Sequence, residues 1–169
     1  MIRNMMSNSN KGLGTTDVLP VDQSRIEVLN GTVDYKNVPL GSYDILGRFA
    51  SVGQRDYTEE LNLIQSMGFN AYRISISWAR IFPNGEELQP SEEGLKYYEA
   101  IIDDVLEKDI EPSVTLSHFD LPLNLYEKYG AWKSRKMIEL FERYAEAVFQ
   151  YFKDKVKYWI TFNEFNVLH

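Results

Sequence analysis

From Tyr57 onward, the apolar positions of this chain switch repeatedly between a period of about 3.6 and a period of about 2, the signatures of helix and strand. The stretch "YTEELNLIQSMGFN" places Leu61, Ile64 and Met67 at helical spacing, and Gly68 suits a left-handed stop. "AYRISISW" then alternates, with Tyr72, Ile74 and Ile76 on one side and Arg73, Ser75 and Ser77 on the other. "RIFPNGEELQP" reads as a loop by its Pro and Gly content. "SEEGLKYYEAIIDDVLEKD" predicts a helix capped by Ser91, with Leu95, Tyr98, Ile101, Ile102 and Val105 as its buried stripe. "IEPSVTLSHFD" predicts a second strand and "LPLNLYEKYGAWK" a long loop. Ser134 is expected to cap another helix, whose apolar face is Ile138, Phe141, Ala145, Val148, Phe149 and Phe152. "KYWITFNE" predicts the third strand.

Residues 1–55 lack this regularity. They are rich in Asn, Gly, Ser and Asp, with short apolar pairs such as Val18-Leu19 and turn signals at Asn30-Gly31 and from Pro39 to Gly41. We therefore expect an irregular amino-terminal segment over 1–55, belonging to the first βα loop region of the fold. The structured unit is expected over 56–169.

Helices and strands alternate there, which implies βαβ crossovers and a parallel sheet. No glycine-rich phosphate loop follows a strand, which argues against a dinucleotide-binding fold. Polar residues gather instead where strands end: Ser75 and Ser77, Ser117-His118, and Asn163-Glu164. In βα barrels that rim is the active face. The expected fold class is α/β, a partial (β/α)8 TIM barrel of about three to four βα units with parallel strands. It stays open, because a closed barrel takes about 250 residues.

Composition narrows the function classes. Hydrophobic residues at 44% and charged residues at 25% suit a soluble globular protein. A net charge of −7 argues against nucleic acid as a partner. Without cysteine, disulfides and thiolate metal sites are excluded. No apolar run reaches membrane-spanning length, and "MIRNMMSNSNKG" lacks the apolar core of a signal peptide, so a cytoplasmic protein that does not engage a membrane is expected. The aromatic content of 14% fits either large core fillers or flat rings that stack on sugars.

Three residues stand out as candidate chemistry. Glu164 ends an apolar strand and has Trp159, Phe162 and Phe165 close by in sequence, a setting expected to desolvate it and raise its pKa toward that of a general acid. The other reading is a capping or solvated Glu. His118 ends a strand; a lone His with scattered carboxylates lacks zinc-ligand spacing, so a hydrogen bond to a substrate hydroxyl is the better fit. Arg73 lies within an apolar strand and needs a carboxylate partner or a water-filled cavity. The acid pairs Glu59-Glu60, Glu86-Glu87, Glu92-Glu93 and Asp103-Asp104 are expected as solvated surface.

Taken in order and spacing, "YRISISWARIFPNG", "VTLSHFDLP", "YGAW" and "VKYWITFNE" resemble family 1 glycoside hydrolases. Within that family, "KGLGTTDVLP", "SHFDLP" and "SRKMIELFERYAEAVF" look most like bacterial 6-phospho-β-glucosidases. The resemblance implies a retaining hydrolysis of β-glucosides or 6-phospho-β-glucosides. Glu164 would be the general acid/base, Asn163 would hydrogen-bond the 2-hydroxyl, His118 would bind a glycone hydroxyl, and Arg73 would orient the nucleophilic carboxylate. Trp132 would be structural, in a loop distant from the strands. No cofactor or metal is implied.

The family's nucleophile sits in a Glu-Asn-Gly context that this sequence does not contain, and its opening strand and late phosphate-gripping loop are not recognisable either. "GRFASVGQRDYTEEL" also departs from the family's usual lead into the first helix. The expectation is an amino-terminal part of such an enzyme, inactive alone, with open strand edges available to a complementing carboxyl-terminal half or to self-association. A non-catalytic carbohydrate-binding or interaction module is the other reading.

Overall fold

The computed structural model describes residues 11, 12, 14, 15, 57–164 and 166. The turn signals at Asn30-Gly31 and Pro39 to Gly41, the Val18-Leu19 pair, and Phe165 lie outside those residues. In chain order the elements are α1 (Tyr57–Ser66), β1 (Ala71–Ser75), α2 (Trp78–Ile81), α3 (Glu92–Glu107), β2 (Glu111–Ser117), α4 (Leu123–Tyr129), a 3-10 turn (Ala131–Lys133), α5 (Lys136–Phe152) and β3 (Tyr158–Phe162).

The described sheet has the order β1-β2-β3, and both pairs are parallel. Helix α3 carries the chain from β1 to β2 and α5 carries it from β2 to β3, as the alternating pattern required. This run of βα units has the arrangement expected of a barrel segment, and three strands do not close a barrel.

Register sorts the sheet into two faces. Ile74 pairs with Val114 and Val114 with Trp159, and this row packs on the helices. The opposite row sets Arg73 beside Ser113, Ser75 beside Thr115, and Thr115 beside Ile160. Arg73 and Ser75 are exposed there, as the lumen side of an open barrel segment should be.

The core lies between sheet and helices. Ile76, Val114 and Leu116 meet Leu95, Tyr98 and Ile102 of α3, and Leu140, Tyr144 and Val148 of α5. Burying each such aliphatic side chain contributes about 1.5–3 kcal/mol before entropy is counted. A smaller cluster of Leu61, Val105 and Ile110 seats α1.

Both predicted helix signals at Gly68 and Ser91 are present. Gly68 has φ +78°, with Phe69 N–H donating to Ile64 O and Gly68 N–H to Gln65 O, the paired bonds of a Schellman stop. Ser91 Oγ accepts from Gly94 N–H at 3.1 Å. Ser134 Oγ likewise accepts from Lys136 N–H at 3.2 Å at the start of α5.

Four expectations are corrected. "LPLNLYEKYGAWK" is not a loop: Pro122 precedes the helix α4, which buries Leu125 and ends at left-handed Gly130. A four-residue helix, α2, opens the stretch expected as loop after β1, because Trp78, Ala79 and Ile81 bury there. Met67 is exposed, since the helix has already ended when it is reached. On α5 the buried stripe is Met137, Leu140, Tyr144, Val148 and Phe152, while Ile138 and Phe149 are exposed. Tyr144 takes the central core position of this face because its hydroxyl finds buried partners in Ile76 O and Leu116 O.

Candidate active site

The carboxyl ends of β2 and β3 bring His118, Asn163 and Glu164 to one rim, toward which Arg73 reaches from the middle of β1. Asn163 N–H donates to Ser117 O at 2.9 Å, extending the β2–β3 ladder one residue beyond β3. That bond sets Asn163 beside the end of β2, where His118 follows directly.

Arg73 reaches across the open face. Its Nε donates to Thr115 Oγ1 at 2.8 Å and its Nη2 to Asn163 Oδ1 at 2.9 Å. A residue on β1 is thereby tied to the ends of β2 and β3. Among the described residues it makes no ion pair, and it is exposed, so its charge is not buried without a partner. The bond also fixes the Asn163 amide. With Oδ1 accepting from a guanidinium, Nδ2 with its two N–H groups is left to donate elsewhere.

His118 is half-buried, with its ring 5.4 Å from that of Phe119 in an edge-on arrangement. Phe119 has φ +64°, an uncommon backbone conformation for a non-glycine residue. Glu164 has φ +43° and is exposed. Its expected aromatic enclosure is absent among the described residues. Trp159 turns to Phe149, 4.7 Å between ring centroids, and Phe162 stacks on Phe141 at 4.9 Å, so both rings serve α5. The apolar residues preceding Glu164 are used as core and leave its carboxylate in water.

Trp132 touches Trp78, Phe141 and Phe162. Its role is packing, as expected, but it lies against the end of β3 rather than far from the strands.

Two tyrosine hydroxyls shape the rim in a way the sequence does not announce, although Tyr98 stands in the expected α3 stripe and Ser77 among the expected polar strand ends. Tyr144 Oη lies 2.9 Å from Leu116 O and 3.1 Å from Ile76 O, so one buried hydroxyl joins the ends of β1 and β2. Tyr98 Oη accepts from Ser77 N–H at 2.8 Å, and Ser77 Oγ donates to Asp120 Oδ2 at 2.6 Å. Burial pushes the Tyr98 phenol up to about 12 and the Tyr144 phenol well above its ordinary range, so both remain neutral hydroxyls. For Tyr98 the sequence signal is its place in the apolar stripe of α3; Tyr144 stands outside the expected face of α5.

Of the acid pairs, Glu86 departs most from solvated surface. It accepts from Lys128, Tyr129 and Asn124, and these bonds, led by Lys128, hold its carboxyl down to about 2. This cluster ties the loop after α2 to α4. Among the described residues, no group of three or more His, Asp and Glu side chains gathers as a metal site. No described helix is long and apolar enough to cross a membrane.

Residues 43–169 match the glycosyl hydrolase family 1 domain. The aryl-phospho-beta-D-glucosidase BglH of Bacillus subtilis is 46% identical over 158 residues, covering 94% of this chain and 32% of the relative. The 6-phospho-beta-glucosidase AscB of Escherichia coli is 39% identical, over 94% of this chain and 33% of the relative. The chain thus spans about a third of the length of these curated relatives. Among solved structures, the family 1 β-glucosidase of Thermotoga maritima superposes with a TM-score of 0.62 at 42% identity, covering 66% of this chain and 26% of that one. A match over this much of the chain, with the motifs standing at the strand ends, is decisive: the chain belongs to glycosyl hydrolase family 1.

Proposed function

We propose that this chain supplies the acid/base third of a retaining β-glycosidase acting on 6-phospho-β-glucosides, and that it does not turn over substrate alone. The observation that carries the reading is the Arg73–Asn163 hydrogen bond next to Glu164 on the carboxyl rim. It joins a cation, an oriented amide and a carboxyl group on the face where βα barrels do chemistry.

In this reading the Glu164 carboxyl gives its proton to the glycosidic oxygen as the C1–O bond breaks. A second carboxylate attacks C1 from the opposite face, forming a glycosyl–enzyme ester. Glu164, now a carboxylate, takes a proton from water, whose oxygen attacks C1 and releases the sugar with its configuration retained. Asn163 Nδ2 donates to the 2-oxygen, a contact that strengthens as positive charge develops at the ring. His118 holds a glycone hydroxyl. Arg73 has spent Nε and one Nη2 proton on neutral acceptors, and its remaining N–H groups orient the second carboxylate.

That carboxylate must stand about 5–5.5 Å from Glu164. We assign it to the two thirds of the relatives' length that this chain does not span. A part carrying that carboxylate would dock along β1 and β3, each of which is paired on one side only among the described residues. The phosphorylated substrate is supported by identity to two bacterial phospho-glucosidases over nearly the whole chain. A sugar phosphate does not cross a bilayer unaided, which favours a cytoplasmic setting.

The test is hydrolysis of p-nitrophenyl β-glucoside, with and without a 6-phosphate. It is run on the chain alone and on the chain fused in frame to the carboxyl-terminal two thirds of the Bacillus subtilis relative. The expected result is no turnover alone, turnover by the fusion, and a preference for the phosphorylated substrate. Turnover by the chain alone that is lost in Glu164→Gln contradicts the reading, as does an inactive but folded fusion.

A further inference from the structure

We infer that the Gly14–Thr15 strap is a positioning device for His118, with the Thr15 hydroxyl as its working contact. The inference rests on the reading of His118 as a glycone-binding residue.

Thr15 is 1% exposed and lies about a hundred residues from its partners in sequence. Its backbone N–H donates to Leu121 O at 2.9 Å. Its Oγ1 donates to Phe119 O and accepts from Leu121 N–H, each at 3.3 Å. Gly14 forms a bridge with Pro122, and Gly12 N–H donates to Ala79 O at 2.9 Å. The strap therefore holds the segment directly after His118 through three hydrogen bonds, and reaches helix α2 at Ala79 as well.

That segment needs holding. Phe119 sits at φ +64°, which a non-glycine residue keeps only when its surroundings impose it. The strap approaches so closely that a Cβ on Gly14 would lie 2.1 Å from Asp120 Oδ1. Asp120 is anchored from the other side by Ser77 Oγ at 2.6 Å. The turn carrying His118 is thus clamped between the strap and the end of β1. A threonine hydroxyl that both donates and accepts on this turn sets its path, whereas a methyl group in the same space cannot.

The experiment uses the full chain, which has two histidines, so its ring NMR signals separate into two sets assigned with His118→Gln. Thr15→Val is expected to move or broaden the His118 signals while the Trp78 indole N–H signal stays in place, and Thr15→Ser restores them. Unchanged His118 signals in Thr15→Val overturn the proposal. If that variant fails to fold, Gly14→Ala pushes the strap off Asp120 while keeping the hydroxyl, and unchanged His118 signals there overturn it equally. In the fused enzyme, Thr15→Val should raise KM about five- to tenfold, one hydrogen bond's worth, with kcat nearly constant. An equal fall in kcat and kcat/KM contradicts positioning. If Thr15→Val moves the His118 signals but His118→Gln leaves KM unchanged, the strap stands and the sugar-site reading falls.

Discussion

Replacing Tyr144 by Phe removes one atom from the centre of this fold. The ring is fully buried and stacks on Trp78 at 5.1 Å with planes 11° apart, contacts that Phe keeps. What disappears is the hydroxyl between Leu116 O at 2.9 Å and Ile76 O at 3.1 Å. A neutral hydrogen bond contributes about 1 kcal/mol net, and a buried carbonyl that loses its donor adds to the cost. The expected loss is about 1–2 kcal/mol, or a fall in Tm of several degrees, on the order of 3–8 °C. Urea unfolding followed by far-UV circular dichroism measures it, with the slope unchanged from wild type. Tyr151→Phe is the control: that hydroxyl bonds Glu99 on the exposed side of α5, and its loss should cost under about 0.5 kcal/mol. If Tyr144→Phe is as mild as Tyr151→Phe, the buried hydroxyl does not join the strand ends.

Three other outcomes follow from the same structure. Glu86 has its carboxyl lowered to about 2, so its contribution is present above the ordinary carboxylate range and is lost as pH falls from about 5 toward 2. The full shift from 4.5 corresponds to about 3 kcal/mol, and a side chain 30% exposed retains about half; an acid titration of stability should be flatter in Glu86→Gln. Gly85→Ala should destabilise by about 2–3 kcal/mol in the same urea assay, because Gly85 has φ +81° and a Cβ would lie 2.4 Å from the buried Leu125 Cδ1. Arg73→Met should free the Asn163 amide, seen as a change in its side-chain NMR signals, with little loss of stability because Arg73 is exposed.

The alternation of helix and strand was legible in the sequence because two periodicities cannot be confused over lengths of ten residues or more. Gly68 and Ser91 were legible because a left-handed stop and a side-chain cap each demand few residue types. The family was legible because its motifs fall where strands end, so spacing carries the topology. The errors have a common cause. Whether a tyrosine is core, as at Tyr144, depends on a carbonyl far away in sequence, and so does the rotation of α5. The short helix α4 has too few turns to show a period, and only the burial of its Leu125 declares it. Glu164 was read from its neighbours in sequence, but Trp159 and Phe162 turn toward α5 and the carboxylate is exposed. The strap at Thr15 could not be seen, since nothing local marks a threonine that bonds Phe119 and Leu121.

The central claim is that Glu164 is the proton donor of a glycosidase site. Its most direct test is the leaving-group dependence of Glu164→Ala in the fused enzyme. A dinitrophenolate departs without a proton, whereas a methoxide needs one. The account predicts a loss in kcat/KM of about 10²–10⁴ on the methyl β-glycoside and a far smaller loss in kcat/KM on the dinitrophenyl β-glycoside, whose kcat falls because water then lacks its base. Equal losses on both substrates, or none, would contradict it.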